Sequence, residues 1–507
     1  MRSARHIVTI GLFQRANAHR ERTAIVAPEG AFPYADLLDV AEVAATHLLA
    51  GRADLLSERV GLLAPPGWTY VAAQWGIWRA GGVAVPMPVS HPAAELGHLI
   101  DDASPEAVVA HPALFDRVEP LTRERGIRLL STDELLERAA TAATLPHVDR
   151  ARPSLMLYTS GTTGRPKGAL ITHANIEAQI ESLSRAWAWT ADDRILLHLP
   201  LHHVHGVVNV LGCALWNGAL CEIQPSFDPV RVWQRIGSGD LTLYMAVPTV
   251  YRRLIEAWEE ADRPTQTAWS DGARACRLMV SGSAALPVPT LRRWEEITGL
   301  RLLERYGMTE IGMALSNPLV GERRAGHVGR PLPGVRVRLA DEEDRAAVPG
   351  SPGEIQVRGA TVFGGYWERP AETAAAFTPD GWFRTGDLAV VEGGDYRILG
   401  RTSVDILKTG GEKISALEIE DVLRTHAAVL DCAVVGVPDV EWGDRVCVAV
   451  VRRPSMDLSA NELRAFAKEL LAPYKVPKQI LIVADLPRNA MGKVTKPAVR
   501  ALFEATA

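Results

Sequence analysis

The sequence predicts an α/β protein with a large N-terminal domain of mainly parallel sheets and helices, a small β-rich subdomain, and a separate small α/β unit at the C-terminus. Three observations carry this. Over residues 30–110, short apolar runs alternate with helix-length amphipathic stretches, the pattern that sets parallel strands between helices. After about residue 330, Gly/Pro turns separate short alternating strands. Beyond residue 400, a charged segment ending in Gly410-Gly411-Glu412-Lys413 precedes a further helix and strands. A chain of 507 residues exceeds what one hydrophobic core serves, and we place the division at about residue 400, giving domains 1–400 and 401–507.

In order, residues 34–49 have helical spacing, 59–63 read as a strand, and 70–79 return to helix. Residues 83–86 and 107–110 read as buried strands with a helix over 96–102 between them. Leu155-Met156-Leu157-Tyr158 is a short buried strand and Ala169-Leu170-Ile171 another. Between them lies Thr159-Ser160-Gly161-Thr162-Thr163-Gly164-Arg165-Pro166-Lys167-Gly168. Glycines here let backbone N–H groups approach an anion, the hydroxyls add donors, and Lys167 brings a compact positive charge, so the stretch has the chemistry of a phosphate cradle. It is not a Walker loop, because Pro166 stands where that motif needs its second Gly. Thr172 can cap a helix beginning near Asn175.

Farther along, Pro200-Leu201-His202-His203-Val204-His205-Gly206 sets three histidines within four positions. A zinc site would space them on one helical face with a carboxylate partner, and neither is visible, so the cluster reads as pocket lining. A strand over 243–247 breaks at Pro248 into a helix carrying Arg252 and Arg253. Neighbours on a helix diverge by about 100°, so only one of the two can face a shared pocket. A strand over 277–280 ends in Ser281-Gly282-Ser283-Ala284, small residues at the kind of strand end where open α/β sheets bind ligands. Glu304-Arg305-Tyr306-Gly307-Met308-Thr309-Glu310 joins an aromatic ring, a hydroxyl and a carboxylate; Thr309 suits phosphate and Glu310 suits Mg²⁺. Short alternating strands over 335–339 and 353–358 lead to Thr385-Gly386-Asp387, whose Asp taken alone reads as a turn former. Past Gly400-Arg401, residues 416–425 read as helix and 433–437 and 446–451 as strands. Lys493 follows Gly492 on a loop and, taken alone, reads as a surface lysine.

The formal net charge of −5 and the lack of a basic block argue against nucleic acid as a partner. The five cysteines are scattered and odd in number, without metal spacing or a secreted-domain framework, and read as reduced core residues. The N-terminus is basic, but the apolar run over 7–13 is short for a signal peptide and no small-residue cleavage pattern follows; an organelle transit segment is the alternative to the cytoplasmic location we expect. No apolar run reaches the roughly 18–20 residues needed to span a bilayer, so no membrane partner is expected. Either a monomer or a homodimer is compatible with the composition.

Taken together and in order, the stretch 158–168, Tyr306-Gly307-Met308-Thr309-Glu310, Thr385-Gly386-Asp387, Gly400-Arg401 and Gly492-Lys493 resemble the adenylate-forming superfamily of acyl-CoA synthetases, adenylation domains and luciferases. The resemblance spans nearly the whole chain. It implies that ATP and a carboxylic acid give an acyl-adenylate and pyrophosphate, after which the thiol of coenzyme A displaces AMP. Its ATP-binding set falls on Thr159, Ser160, Gly161, Thr162, Thr163, Gly164, Lys167, Ser283, Glu304, Arg305, Tyr306, Gly307, Asp387 and Arg401. Within it Tyr306 is the adenine stacker, and Asp387 and Arg401 clamp the ribose hydroxyls. Thr309 contacts phosphate, Glu310 holds Mg²⁺, and Lys493 bridges the acid and the α-phosphate. The C-terminal unit is implied to be a mobile lid that turns near Arg401, withdrawing Lys493 and presenting Gly410, Gly411 and Lys413 to coenzyme A. Between Arg401 and Gly410 the chain has one residue more than the common pattern, which leaves Ser403, Val404 and Asp405 all open as the hinge.

A narrower resemblance rests on His203-Val204-His205-Gly206, Val247-Pro248-Thr249-Val250-Tyr251-Arg252-Arg253-Leu254, Ser281-Gly282-Ser283-Ala284-Ala285-Leu286-Pro287 and Arg401-Thr402-Ser403-Val404-Asp405. These resemble the malonyl- and methylmalonyl-CoA synthetase branch. A dicarboxylate needs a cation for its second carboxylate, and Arg253 is the expected one, aided by His205 and Ser281. His203 holds the position that gates the passage between acyl group and coenzyme A. The alternatives are a ligase for short, medium-chain or aryl acids, a stand-alone enzyme that loads a carrier protein, and a non-catalytic nucleotide binder; the presence of both Glu310 and Lys493 argues against the last.

Overall fold

The computed structural model describes residues 10–137, 143–159, 166–409, 412–439, 442–454, 456–489 and 492–504. The cradle residues Ser160, Gly161, Thr162, Thr163 and Gly164, together with Gly410, Gly411 and the side chain of Lys413, lie outside the described set.

Among the described residues the strands form four sheets. The first has six parallel strands at its centre, Leu303–Met308, Leu278–Ser281, Leu243–Ala246, Arg194–Leu197, Leu220–Ile223 and Thr23–Ala27, with antiparallel strands at both edges. The second is parallel through Arg128–Ser131, Ala107–Ala110, Arg59–Leu63, Val83–Pro86 and Pro153–Thr159. Val60, Leu62, Val108 and Val109 are fully or nearly fully buried, as strands covered by helices on both faces require. The third sheet is small and antiparallel, Val335–Ala340, Gly353–Gly359, Phe383–Glu392 and Asp395–Arg401. The fourth contains Ile406–Thr409, Glu412–Ser415, Val429–Asp439, Gly443–Arg452 and Gln479–Val483.

One local feature departs from the parallel expectation. Pro153–Thr159 pairs antiparallel with Lys167–Thr172, with Thr159 opposite Lys167, so the cradle stretch joins two arms of a hairpin. Thr172 then starts the helix His173–Ala186: its Oγ1 accepts the Asn175 N–H at 3.1 Å and the Asn175 side chain accepts the Thr172 N–H at 3.0 Å, a reciprocal cap. The helix Pro248–Glu260 begins at a proline, whose missing N–H costs nothing in the first turn. That helix is anchored from below. Tyr251 packs edge-on to Trp294 at 4.9 Å, Trp294 stacks with Trp233 at 5.2 Å, and the Tyr251 hydroxyl donates to the Val280 carbonyl at 2.9 Å, which ties the helix to the strand end at Ser281.

All five cysteines are buried and unpaired. Among the described residues no helix is long and apolar enough to cross a membrane, and no cluster of three His, Cys, Asp or Glu could hold a metal by itself.

Candidate active site

The turn from Tyr306 to Glu310 meets three sheets at one point. Tyr306 lies within the strand Leu303–Met308 of the first sheet, and its hydroxyl donates to Asp387 Oδ2 of the third sheet at 2.6 Å. Glu310 accepts at Oε1 from the hydroxyl of Tyr366, an edge residue of the second sheet, at 2.9 Å. Gly307 has to be glycine here, because a Cβ would stand 2.1 Å from the Gly312 carbonyl oxygen across the hairpin. Asp387 lies opposite Arg401 in register and accepts from Arg401 Nε at 3.0 Å. Lys167 is ion-paired with Glu372, and its ammonium is 5.3 Å from the centroid of Tyr366, so the lysine after the cradle shares a neighbour with Glu310. Burial holds the Glu310 carboxyl above its usual pKa. The structure thus brings Lys167, Tyr306, Glu310, Asp387 and Arg401 to one region, with half-buried Thr309 in the same turn.

A second group sits beside it. Arg305 is only 2% exposed, yet among the described residues its Nε and Nη1 have no hydrogen-bond partner and no carboxylate pairs with it. Its Nη2 reaches Ser283 Oγ at 3.5 Å, a contact at the limit of a hydrogen bond. Gly282 makes the room, since a Cβ there would lie 2.4 Å from the guanidinium carbon. Ser283 is held at φ 71°, a left-handed conformation that costs a side-chain-bearing residue energy and gathers at functional sites. Its Oγ stands 3.3 Å from His205 Nδ1. His205 opens a wide π-helical segment, His205–Gly212; burial first, then the charge of Arg305, drives its pKa well down and keeps the ring neutral. Its Nε2 and the Ser281 hydroxyl are also buried without a recorded partner. Four polar groups therefore lie together, and among the described residues no carboxylate is paired with the arginine.

Lys493 approaches this interior from the C-terminal unit. Its loop is held by the Asn489 side chain, which accepts the Lys493 N–H at 3.0 Å. Across the cleft, a Cβ on Gly492 would lie 3.7 Å from Thr249 Oγ1 in the first turn of the helix Pro248–Glu260. The ammonium is open to solvent within the cleft, but surrounding protein, Arg305 and Arg401 lower its pKa, with Asp387 opposing them. Burial first, then His202 and the same lysine, depress half-buried His203 to about 3.

Comparison with known proteins agrees with this geometry. The AMP-binding enzyme family matches residues 12–367, and the AMP-binding enzyme C-terminal domain matches 418–493. The chain belongs to the AMP-binding enzyme family. It is 45% identical to the mitochondrial malonate–CoA ligase ACSF3 of Homo sapiens, over 96% of this chain and 91% of that protein. It superposes on ATP-bound MatB of Rhodopseudomonas palustris with a TM-score of 0.91 at 34% identity, covering 98% and 100% of the two chains. A malonyl-CoA ligase in a ternary product complex with methylmalonyl-CoA and AMP is 36% identical over 94% and 100%, yet superposes at only 0.69.

Within this AMP-binding enzyme the described contacts of Arg253 and Arg305 differ. Arg253, expected beside His205 and Ser281, is exposed on its helix with its guanidinium 4.7 Å from the ring of Phe227; the cation that meets Ser283 and faces His205 is Arg305. Sequence reading grouped Arg305 and Ser283 with the ATP contacts because of the motifs they belong to, and had no signal for which way their side chains point. Glu304, grouped the same way, accepts the Leu286 N–H at 3.0 Å, leaves Oε2 unpartnered, and is only 4% exposed. Sequence reading also missed a cavity of about 170 Å³ beside His202, lined by Tyr70, Met87, Val89, Ser90 and His198 among others.

Burial pushes the Glu304 carboxyl up from 4.5 to about 8. A raised folded-state pKa means the native state binds more protons than the unfolded chain between these values, so this group's contribution to stability is full below about 4.5 and is lost as pH rises through about 8. Thermal unfolding of Glu304→Gln and the parent from pH 5 to pH 8.5 is expected to show the variant gaining on the parent as pH rises; a constant difference would mean that Glu304 is ionised in the folded protein.

Proposed function

We propose that this AMP-binding enzyme joins malonate to coenzyme A at the expense of ATP, through a malonyl-adenylate, releasing AMP and pyrophosphate. The observation that carries the acid is Arg305. A buried guanidinium with two unpartnered N–H groups is costly unless something anionic arrives, and the second carboxylate of a dicarboxylic acid supplies the charge and planar acceptors a guanidinium fits. Ser283, Ser281 and neutral His205 add donors without adding charge. A monocarboxylic acid would leave the arginine unsatisfied. The names of the human relative and of the ternary complex support the same substrate class, and the latter supports methylmalonate as a second acid.

In the first half-reaction a carboxylate oxygen of malonate attacks the α-phosphorus of ATP, and the bond to the β-phosphate breaks to release pyrophosphate. Both reactants are anions, so the chain must supply positive charge: Lys493 between carboxylate and α-phosphate, Lys167 with the hydroxyls of the cradle on the departing phosphates. Lys167 exchanges Glu372 for phosphate. Tyr306 provides the face for adenine, and Asp387 with Arg401 the acceptors and donors for ribose. Glu310 is the one carboxylate in the turn, which suits Mg²⁺, an ion usually held by one or two carboxylates plus phosphates and supplying charge neutralisation on them; Thr309 stands beside it. In the second half-reaction the sulfur of coenzyme A attacks the adenylate carbonyl and AMP leaves. The cavity beside His202, with His203 at its edge, is our candidate for the thiol's path, and Gly410, Gly411 and Lys413 for the rest of coenzyme A. The high superposition on ATP-bound MatB and the low one on the product complex support a lid that carries Lys493 into the first step and away for the second.

Three substitutions test these roles. Arg305→Met is expected to lower kcat/KM for malonate by at least about 30-fold, the scale for losing a buried charged partner, with the KM for ATP little changed, and Arg253→Met to have a smaller effect; malonate kinetics at the parent level in Arg305→Met would remove it from the acid site. Lys493→Ala is expected to slow malonate-dependent pyrophosphate release by roughly 10²–10³-fold while supplied malonyl-adenylate still reacts with coenzyme A. Equal loss of both steps would make the lysine structural.

A further inference from the structure

Six charges, Glu420 buried and the other five half-buried, run in file through the C-terminal unit and end on backbone atoms at functional positions. At one end, Asp405 Oδ2 accepts the Arg401 N–H at 3.0 Å and Asp405 Oδ1 pairs with Lys496 at 3.4 Å. Lys496 also pairs with Glu420 and donates to the Val434 carbonyl at 2.7 Å. Glu420 accepts from Arg424 at 3.1 Å, and Arg424 reaches Asp431 Oδ1 at 3.4 Å. The other oxygen of Asp431 binds Arg488 Nη2 at 2.5 Å, and Arg488 Nη1 donates to the Gly492 carbonyl at 3.0 Å. Side-chain exposures along the file run from 4% at Glu420 to 20% at Arg488, so solvent screens these pairs far less than surface ones.

A file of this kind could simply hold the unit together, but its two ends speak for more. One is the backbone of Arg401, whose guanidinium is on Asp387. The other is the peptide immediately before Lys493, at a glycine held at φ 74°. The guanidinium of Arg488 holds a carboxylate and a carbonyl on two nitrogens of one rigid, planar fork, whereas a lysine in its place would have to reach both from a single nitrogen on a flexible stem. We propose that Arg488 is the positioning residue for Lys493, holding the Gly492 peptide in the place from which the ammonium meets the acid and the α-phosphate, and that the file sets this place relative to Arg401. The proposal rests on the reading of Lys493 above.

The charges also say which variant to make. Removing Glu420 would take from Lys496 and Arg424 the carboxylate they share in the middle of the file, whereas removing Arg488 touches only its end and leaves Asp431 paired with Arg424, so Arg488→Met keeps every remaining charge of the file partnered. Both half-reactions are to be measured on Arg488→Met, Arg488→Lys and, as reference, Lys493→Ala, with thermal unfolding of each. Arg488→Met is expected to lower kcat for malonate-dependent pyrophosphate release by roughly 30- to 100-fold, the cost of misplacing a reacting group by about 1 Å, with KM values little changed and the reaction of supplied malonyl-adenylate with coenzyme A within about twofold of the parent. Arg488→Lys, which can still pair with Asp431, is expected to recover melting temperature without recovering that kcat. Loss of both half-reactions in proportion, recovery of kcat by Arg488→Lys, or parent-level kinetics in Arg488→Met would each overturn the proposal while Lys493→Ala still separates the two steps. Failure of Lys493→Ala itself to separate them would overturn the reading of the lysine.

Discussion

The guanidinium of Arg305, 2% exposed and with no carboxylate paired to it among the described residues, is the constraint from which the rest of the site follows. An interior cation without a counter-ion is among the costlier things a fold can retain, and the neighbourhood is arranged around it. Gly282 withholds a side chain, Ser283 takes a left-handed conformation to bring its hydroxyl near, and His205 stays neutral so that no second positive charge competes. A site with this much unmet donor capacity and no anion selects its ligand by charge before it does so by shape. Lys493, whose own pKa is lowered by the same arginine, enters a region that becomes favourable for a cation once a dianion and a nucleotide triphosphate are present.

Support for that arrangement comes from the turn at Tyr306 to Glu310, where three sheets converge through two tyrosine hydroxyls. Fixing Tyr306 on Asp387 and Glu310 on Tyr366 orients the strand that carries Arg305, so in the reading proposed above the nucleotide and the acid are held by successive residues of one strand and its following turn. The acid is thereby located relative to the α-phosphate by covalent geometry, not by loop packing, and this is where effective concentration of the two anions is gained.

Much of this was legible in residues alone. Apolar runs such as Val108 and Val109, buried on both faces, announce parallel strands, and Thr172 with Asn175 announces a helix start. The motif order pointed to the family, later met by matches over 12–367 and 418–493. What sequence could not tell was direction. Arg252 and Arg253 are equally good cations on paper and Arg305 reads as part of a nucleotide motif; the burial of Arg305 beside the Gly282 gap and the exposure of Arg253 emerge only in the fold. The hairpin arrangement of Pro153–Thr159 and Lys167–Thr172 was likewise hidden, since a buried strand has the same composition whichever way its neighbour runs.

The central claim is that a dicarboxylate is selected by a buried arginine, and the most direct measurement is ATP–pyrophosphate exchange with malonate, methylmalonate, acetate and octanoate at equal concentration. Our account predicts exchange with the two dicarboxylates and, by the scale of an unpaired buried charge, rates lower by about 30-fold or more with the two monocarboxylates. Equal rates across the four acids would contradict it.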